Sequence, residues 1–385
     1  MLVKSYKNNG FIPDSLISMS DGSVKYIKDV KVDDKIINHK GNIEKVLKNN
    51  NYLYDGNLIN INIRGKLNLN CTIGYGFYVL DVSKFDGRKD DTQKHIFRLK
   101  SSNKKFIFKK TSELKKYDLL TSVSLNKKIN SDLNMDKARL LGLFAAEGCF
   151  VKKHNIYQGI LFTFNINEYE NLALKVKNLL NKEFNVSANI YKHPDKGVCE
   201  VIGFNKKIAD FFKYHVGEYS KYKTLSEELI FANDEIKKHF ISGWLDGDGC
   251  VEKKFGQIIG VSTSKNLINC ISLMLNSIKI GHGISKVKGQ KNVIINKKYP
   301  AYNGTDYYRL TINATEGKQL IKISNRIKFK NKGQEKKQNN NYKGYMLHSV
   351  SKIDKKYYKG IVYNLKIKND NSYMVNGIVV QNCDI

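Results

Sequence analysis

Two short stretches of this 385-residue chain carry the side chains best placed to do chemistry. Leu140-Leu-Gly-Leu-Phe-Ala-Ala-Glu-Gly-Cys149 and Ile241-Ser-Gly-Trp-Leu-Asp-Gly-Asp-Gly-Cys250 both end in acid-Gly-Cys. A lysine pair follows each, Lys152-Lys153 and Lys253-Lys254. Each stretch continues a helical pattern, so Glu147 and Asp248 fall near two helix ends. Gly142 and Gly243 lie mid-helix, where glycine costs about 1 kcal/mol relative to alanine. With Ala145, Ala146, Ser242 and Gly247 they allow two helices to approach closely, and such packing brings Glu147 and Asp248 together. Two converging carboxylates do not both stay charged cheaply unless a divalent cation joins them. Magnesium shared by carboxylates and phosphate oxygens is the usual arrangement for phosphodiester hydrolysis. The candidate metal ligands are Glu147, Asp248, Gly148 and Gly249.

The elements around these acids repeat. After each motif comes a β-rich run, Gly159-Ile-Leu-Phe-Thr-Phe or Gln257-Ile-Ile-Gly-Val-Ser, and then an amphipathic helix. In the second copy Leu267, Cys270, Ile271, Met274, Leu275 and Ile278 recur at helical spacing; Leu172, Leu174, Val176, Leu179 and Leu180 give a noisier stripe in the first. Two further strand-like runs and a closing helix complete each unit, which reads α-β-β-α-β-β-α, repeated about a hundred residues apart.

Charge points to the partner. Lysine plus arginine number 66 against 36 acids, a net charge of +30. A lysine- and asparagine-rich composition also gives a solvated basic surface, but this surplus favours a polyanion through long-range attraction and counterion release. None of the six cysteines forms a CxxC pair, which argues against structural zinc and for reduced thiols. No apolar run is long enough for a membrane span or a secretory signal, so an intracellular place, in cytoplasm or nucleus, is expected.

The paired segments resemble the LAGLIDADG motif, and the chain from about 130 to 335 resembles the two-motif, single-chain homing endonucleases. The resemblance implies a monomer with internal pseudo-twofold symmetry, with Glu147 and Asp248 as the catalytic acids and Mg2+ as cofactor. Ala145 and Asp246 share the sixth motif position and are not counted as catalytic. It also implies a saddle of antiparallel strands in the major groove of double-stranded DNA, reading a long asymmetric target. Candidate contacts are Lys152, Lys153, Gln158, Thr163, Lys192, Lys253, Lys254, Lys286, Lys288 and Arg309, most lysines touching phosphate. Lys265 and Lys298 are candidate basic residues near the metals.

Both chain ends read as short strands, with an Asp21-Gly22 turn near the start and an Asn376-Gly377 turn near the finish. They resemble the opening and closing blocks of inteins, the all-β Hint fold. In that register Gly10 stands where a Cys nucleophile belongs, Tyr75 stands for the histidine of Thr-x-x-His, and Gln381-Asn382-Cys383 replaces His-Asn-Cys. In the resembled chemistry a first-position thiol makes an acyl shift, the asparagine cyclises and the last cysteine accepts. Thr72, Asn382 and Cys383 are retained; glycine at position 10 removes the standard first step.

The expected organisation is multi-domain. Residues 10–128 and 342–382 form the Hint part, and 130–335 the α+β endonuclease, with repeats about 135–225 and 233–330. Residues 1–9 and 383–385 are read as extein remnants, and Lys328 to Lys343 as a polar linker. The expected function is site-specific DNA cleavage from an intein-like frame whose splicing is impaired. A nuclease-dead DNA-binding protein, or a self-splicing intein using Cys383 directly, are the competing readings.

Overall fold

A computed structural model of the chain describes residues 9–81, 104–123, 127–253, 255–291, 303–328 and 341–382. The chain divides into two compact units. One comprises Met1–Asn126, Leu275–Ser285 and Gln338–Ile385; the other comprises Lys127–Met274 and Lys286–Lys337.

Alternating apolar and polar residues build the first unit as sheet. Its strands run in the order Val24–Tyr26, Leu16–Ser18, Ser372–Val375, Ile378–Gln381, Gly76–Leu80, Leu119–Ser122, Tyr345–Ile367, Ile43–Ile63 and Lys35–Ile37. Strands from the two chain ends are therefore neighbours. The long pair Ile43–Ile63 and Tyr345–Ile367 forms an antiparallel ribbon, Val350 opposite Ile63 at one end and Ile367 opposite Val46 at the other. The Asn376-Gly377 turn is a two-residue hairpin with φ of +49° and +74°, the conformation this dipeptide favours. Phe11, Ile17, Ile61, Cys71, Phe77, Leu120, Tyr373 and Val380 share one buried core.

The second unit contains the repeat apart from Leu275–Ser285, which is grouped with the first. In its first copy helix α1 (Met135–Glu147) leads into strands β1 (Gly148–Lys153) and β2 (Ile156–Asn165). Helix α2 (Leu174–Phe184), strands β3 (Asn189–His193) and β4 (Val198–Phe204) and helix α3 (Lys206–Val216) complete it. After a short helix α4 (Glu227–Ile230), the second copy follows: α5 (Asp234–Asp248), β5 (Gly249–Val251), β6 (Ile258–Ser262), α6 (Lys265–Ser277), β7 (His282–Val287), β8 (Tyr307–Ile312) and α7 (Ala314–Ile321). The sheets have matching orders, β3-β4-β2-β1 and β5-β6-β8-β7. Both motif helices start at asparagine caps: Asn134 accepts from the Lys137 amide and Asn233 from the Ile236 amide.

The expected α-β-β-α-β-β-α order holds in both copies, with two local differences. The ragged stripe around Leu172 corresponds to a wide turn, Tyr169–Ala173, that enters α2. The expected polar linker ends earlier than Lys343, because Asn341–Tyr342 pairs with Tyr345–Met346 as a tight hairpin; residues 329–340 lie outside the described ones.

Candidate active site

Helices α1 and α5 cross where their glycines lie. A Cβ on Gly142 would overlap the Phe240 carbonyl oxygen, and one on Gly243 would stand 2.5 Å from the Arg139 carbonyl oxygen. Backbone thus packs on backbone. One turn further, a Cβ on Gly247 would stand 2.9 Å from the Glu147 Cγ. The crossing carries the two helix ends, and with them Glu147 and Asp248, to the same place.

Their electrostatics reflect that meeting. Burial raises the Asp248 carboxyl to about 6, against the pull of Lys223 and Arg326. Glu147 is also raised, first by burial and then by the Asp248 and Glu168 charges, with Arg326 and Lys223 opposing. The Asp248 charge acts on Glu147, which puts the two acids within electrostatic reach of one another.

Two cations brace the helix ends. The Lys223 ammonium donates to the carbonyls of Phe144, Ala145 and Gly148 at 3.0, 2.9 and 3.3 Å. The Arg326 guanidinium donates to those of Gly247 and Gly249 at 2.7 and 2.6 Å. Each cation caps the C-terminal end of one motif helix, where the exposed carbonyls concentrate negative potential. It therefore also engages the Gly148 or Gly249 carbonyl, the main-chain group expected to face the metal. Sequence reasoning missed both cations. Lys265, expected in this role, is the first residue of helix α6, and Lys298 lies outside the described residues. The available signal was the repeat: each cation follows the closing helix of its copy, in Ser220-Lys-Tyr-Lys223 and Ser324-Asn-Arg326.

Asp246, set aside as non-catalytic, is fully buried and pairs with the Arg139 guanidinium and the Ser324 hydroxyl. It also accepts from the Asn325 and Arg326 amides at 2.9 and 3.1 Å. It therefore fixes the loop that presents Arg326. Ala145, its counterpart, has no such function.

A cleft of about 700 Å³ opens beside Asp248, lined among others by Lys223, Ser220, Ser262, Lys288 and Tyr307. Strand register decides which proposed contacts share the outward face of a sheet. Thr163 lies opposite Glu200, which lies opposite Tyr191, on the side away from buried Phe162 and Phe164. Arg309 lies opposite Val261, on the side away from buried Leu310. Gln158 is exposed at a bulge in β2, Lys153 and Lys253 are exposed, and Lys286 pairs with Asp306 at 2.9 Å.

Two proposed contacts leave their sheets on the other face. Lys192 lies opposite Cys199, in the row of Phe164, so it leaves the sheet on the helix side; its ammonium stacks over the Tyr169 ring at 3.6 Å. Lys152 shares its side of β1 with Phe150, which packs on Phe144 of α1, and it pairs with Glu218. A one-residue offset along a strand reverses the face, and lysine pairs in sequence do not reveal which member points outward. Lys254 lies outside the described residues.

In the first unit the Gly10 amide donates to the Thr72 hydroxyl at 2.9 Å, and the Thr72 amide donates to the Gly10 carbonyl at 3.0 Å. A Cβ on Gly10 would stand 2.6 Å from the Val362 Cβ, so no nucleophile-bearing residue fits there unless Val362 moves. Tyr75 is fully buried, and its hydroxyl donates to Asn364 at 2.6 Å. Asn364 donates at 3.1 Å to the Asn382 side chain, and Gln381 donates to the Asp370 carbonyl at 3.3 Å. Cys383 lies outside the described residues. Cys71, Cys199 and Cys270 are buried and Cys149 and Cys250 exposed, and none of these five forms a disulfide. Among the described residues no helix is long and apolar enough to cross a membrane.

Comparison with known proteins places these observations. The sequence model of the LAGLIDADG-like domain matches twice, over residues 134–238 and 235–328. The ATP-dependent DNA helicase Hel308 of Thermococcus kodakarensis is 27% identical over 65% of this chain and 22% of its own length. A DNA polymerase of Thermococcus aggregans is 23% identical over 96% of this chain and 20% of its own length. A crystal structure of I-DmoI in complex with DNA and Ca aligns with 48% of this chain and 86% of that one, at 19% identity and a TM-score of 0.35. The chain spans only 22% and 20% of the length of these two curated relatives.

Proposed function

The chain belongs to the LAGLIDADG-like domain family, which bears out the resemblance drawn from its sequence to inteins carrying such an endonuclease, and on that premise we propose that it cleaves double-stranded DNA at a specific site. The observation that carries this reading is the meeting of Glu147 and Asp248 at the crossing of α1 and α5, beside an open cleft. The donor set fits a divalent cation. Two half-buried carboxylates whose ionisation is held back, Asp248 to about 6, would gain from a bound cation. Such a cation, Mg2+ in this reading, polarises a phosphate and lowers the pKa of a bound water. The protein's own part is to hold both acids in place by glycine-mediated packing and to supply fixed positive charge through Lys223 and Arg326. The outward rows containing Thr163, Tyr191 and Arg309 suit base edges in the major groove, and the surplus lysines suit phosphate.

The frame around this unit is read as a splicing domain made from both chain ends. An alignment over 96% of this chain with only 20% of a DNA polymerase supports an element inserted in a longer host. Splicing itself is impaired in this reading, because Gly10 offers no nucleophile and Val362 occupies the space of its side chain.

Genomic DNA incubated with the purified chain tests the main reading. Discrete fragments in Mg2+ that vanish in EDTA are expected. Retarded but uncut DNA under both conditions favours the nuclease-dead reading.

A further inference from the structure

The two copies differ where each closing helix leads to its cation. In the second copy α7 runs to Arg326 through Lys322, Ile323, Ser324 and Asn325, without an aromatic residue. In the first, α3 is followed by a longer loop containing Tyr219, Ser220, Lys221 and Tyr222 before Lys223. Both tyrosines project outward: Tyr219 is 65% exposed and Tyr222 67%. The loop is nevertheless built rigidly. The Tyr219 carbonyl accepts from the Tyr222 and Lys223 amides at 2.9 and 3.1 Å, and the Lys223 carbonyl accepts from the Ser264 hydroxyl at 2.5 Å. Tyr219 itself has φ of +58°, a conformation that bulky residues rarely adopt without surrounding support. The Lys152 ammonium lies 5.3 Å from its ring centre. Among the described residues no ring or cation contact engages Tyr222. Ser220 and Lys223, on either side of Tyr222, both line the cleft that reaches Asp248.

We propose that this loop is a one-sided aromatic clamp for duplex DNA lying across the cleft, with the Tyr222 ring wedged at a base step that it partly unstacks and Lys221 beside it for phosphate. The inference rests on the reading that this unit binds DNA, and deepens it by naming a specificity residue. An exposed ring on a backbone-bonded loop, with Lys221 and Lys223 as its chain neighbours, loses little entropy on binding a polyanion. Because the second copy lacks it, discrimination at the two halves of a target is unequal.

The test is selection of bound sequences from a randomised duplex library by the full chain, in Ca2+ so that binding rather than cutting is read. Wild type, Tyr222→Ala, Tyr222→Phe and Tyr219→Ala are compared, with thermal melts showing that each is folded. The expected result is about a tenfold loss of base preference in Tyr222→Ala, confined to one half of the enriched site and restored in Tyr222→Phe. An unchanged profile in Tyr222→Ala, or an equal loss across both halves, overturns the clamp while leaving DNA recognition intact. If wild type enriches no sequence, site-specific DNA recognition fails and the clamp with it.

Discussion

Asp248 and Glu147 hold their charges against burial, and that has a sign. A carboxyl raised from an ordinary value near 3.8 to about 6 disfavours the folded state once ionised. The stability associated with its protonated form is present below about pH 4 and lost as pH rises through 6. Asp248→Asn is therefore expected to stabilise the apo protein at pH 7.5 by about 2 kcal/mol, visible as a melting point a few degrees higher. The difference should vanish at pH 4, and added Mg2+ should raise the melting point of wild type only; melts across pH with and without the metal check both. Asp246 instead carries a buried ion pair with Arg139. Asp246→Ala leaves that guanidinium unpaired and is expected to cost about 3–5 kcal/mol in chemical denaturation. Both acids were legible in the sequence because they recur at matching positions of a repeat. Lys223 and Arg326 also follow matching closing helices but were missed, because they lie in irregular segments where no periodicity fixes a side chain's direction.

At the scale of elements, the helix crossing is the feature that the acids depend on. A methyl group at position 142 meets the Phe240 carbonyl, which cannot yield without moving α5. Gly142→Ala gains about 1 kcal/mol of helix propensity but forces backbone apart, so a net loss of about 2 kcal/mol or more is expected, together with loss of metal-induced stabilisation. Calorimetry with and without Mg2+ measures both. The helix and strand order of both copies could be read from apolar periodicity, and the Asn376-Gly377 hairpin from its turn residues. Strand faces could not. Lys192 and Lys152 were placed among DNA contacts, yet register turns both toward the helices, where Tyr169 and Glu218 receive them. Sequence alternation is blurred here because lysine stems tolerate either side of a sheet.

At the scale of the whole chain, both ends contribute neighbouring strands to one unit, and the repeat falls between them in sequence. This much followed from matching blocks at the termini; the closure of position 10 did not, because Val362 is remote in sequence and only the ribbon brings it beside Gly10. Gly10→Cys alone is accordingly expected to leave flanking segments unjoined over days. Gly10→Cys with Val362→Ala relieves the clash, and intact mass of tagged chains compares the two. The central claim is tested most directly by cleavage of a randomised double-stranded DNA library in Mg2+, with Asp248→Asn and Glu147→Gln alongside. The account expects enriched cut ends from wild type, lost in both variants while DNA retardation persists. Retardation by wild type without cut ends, or cutting that survives both substitutions, contradicts it.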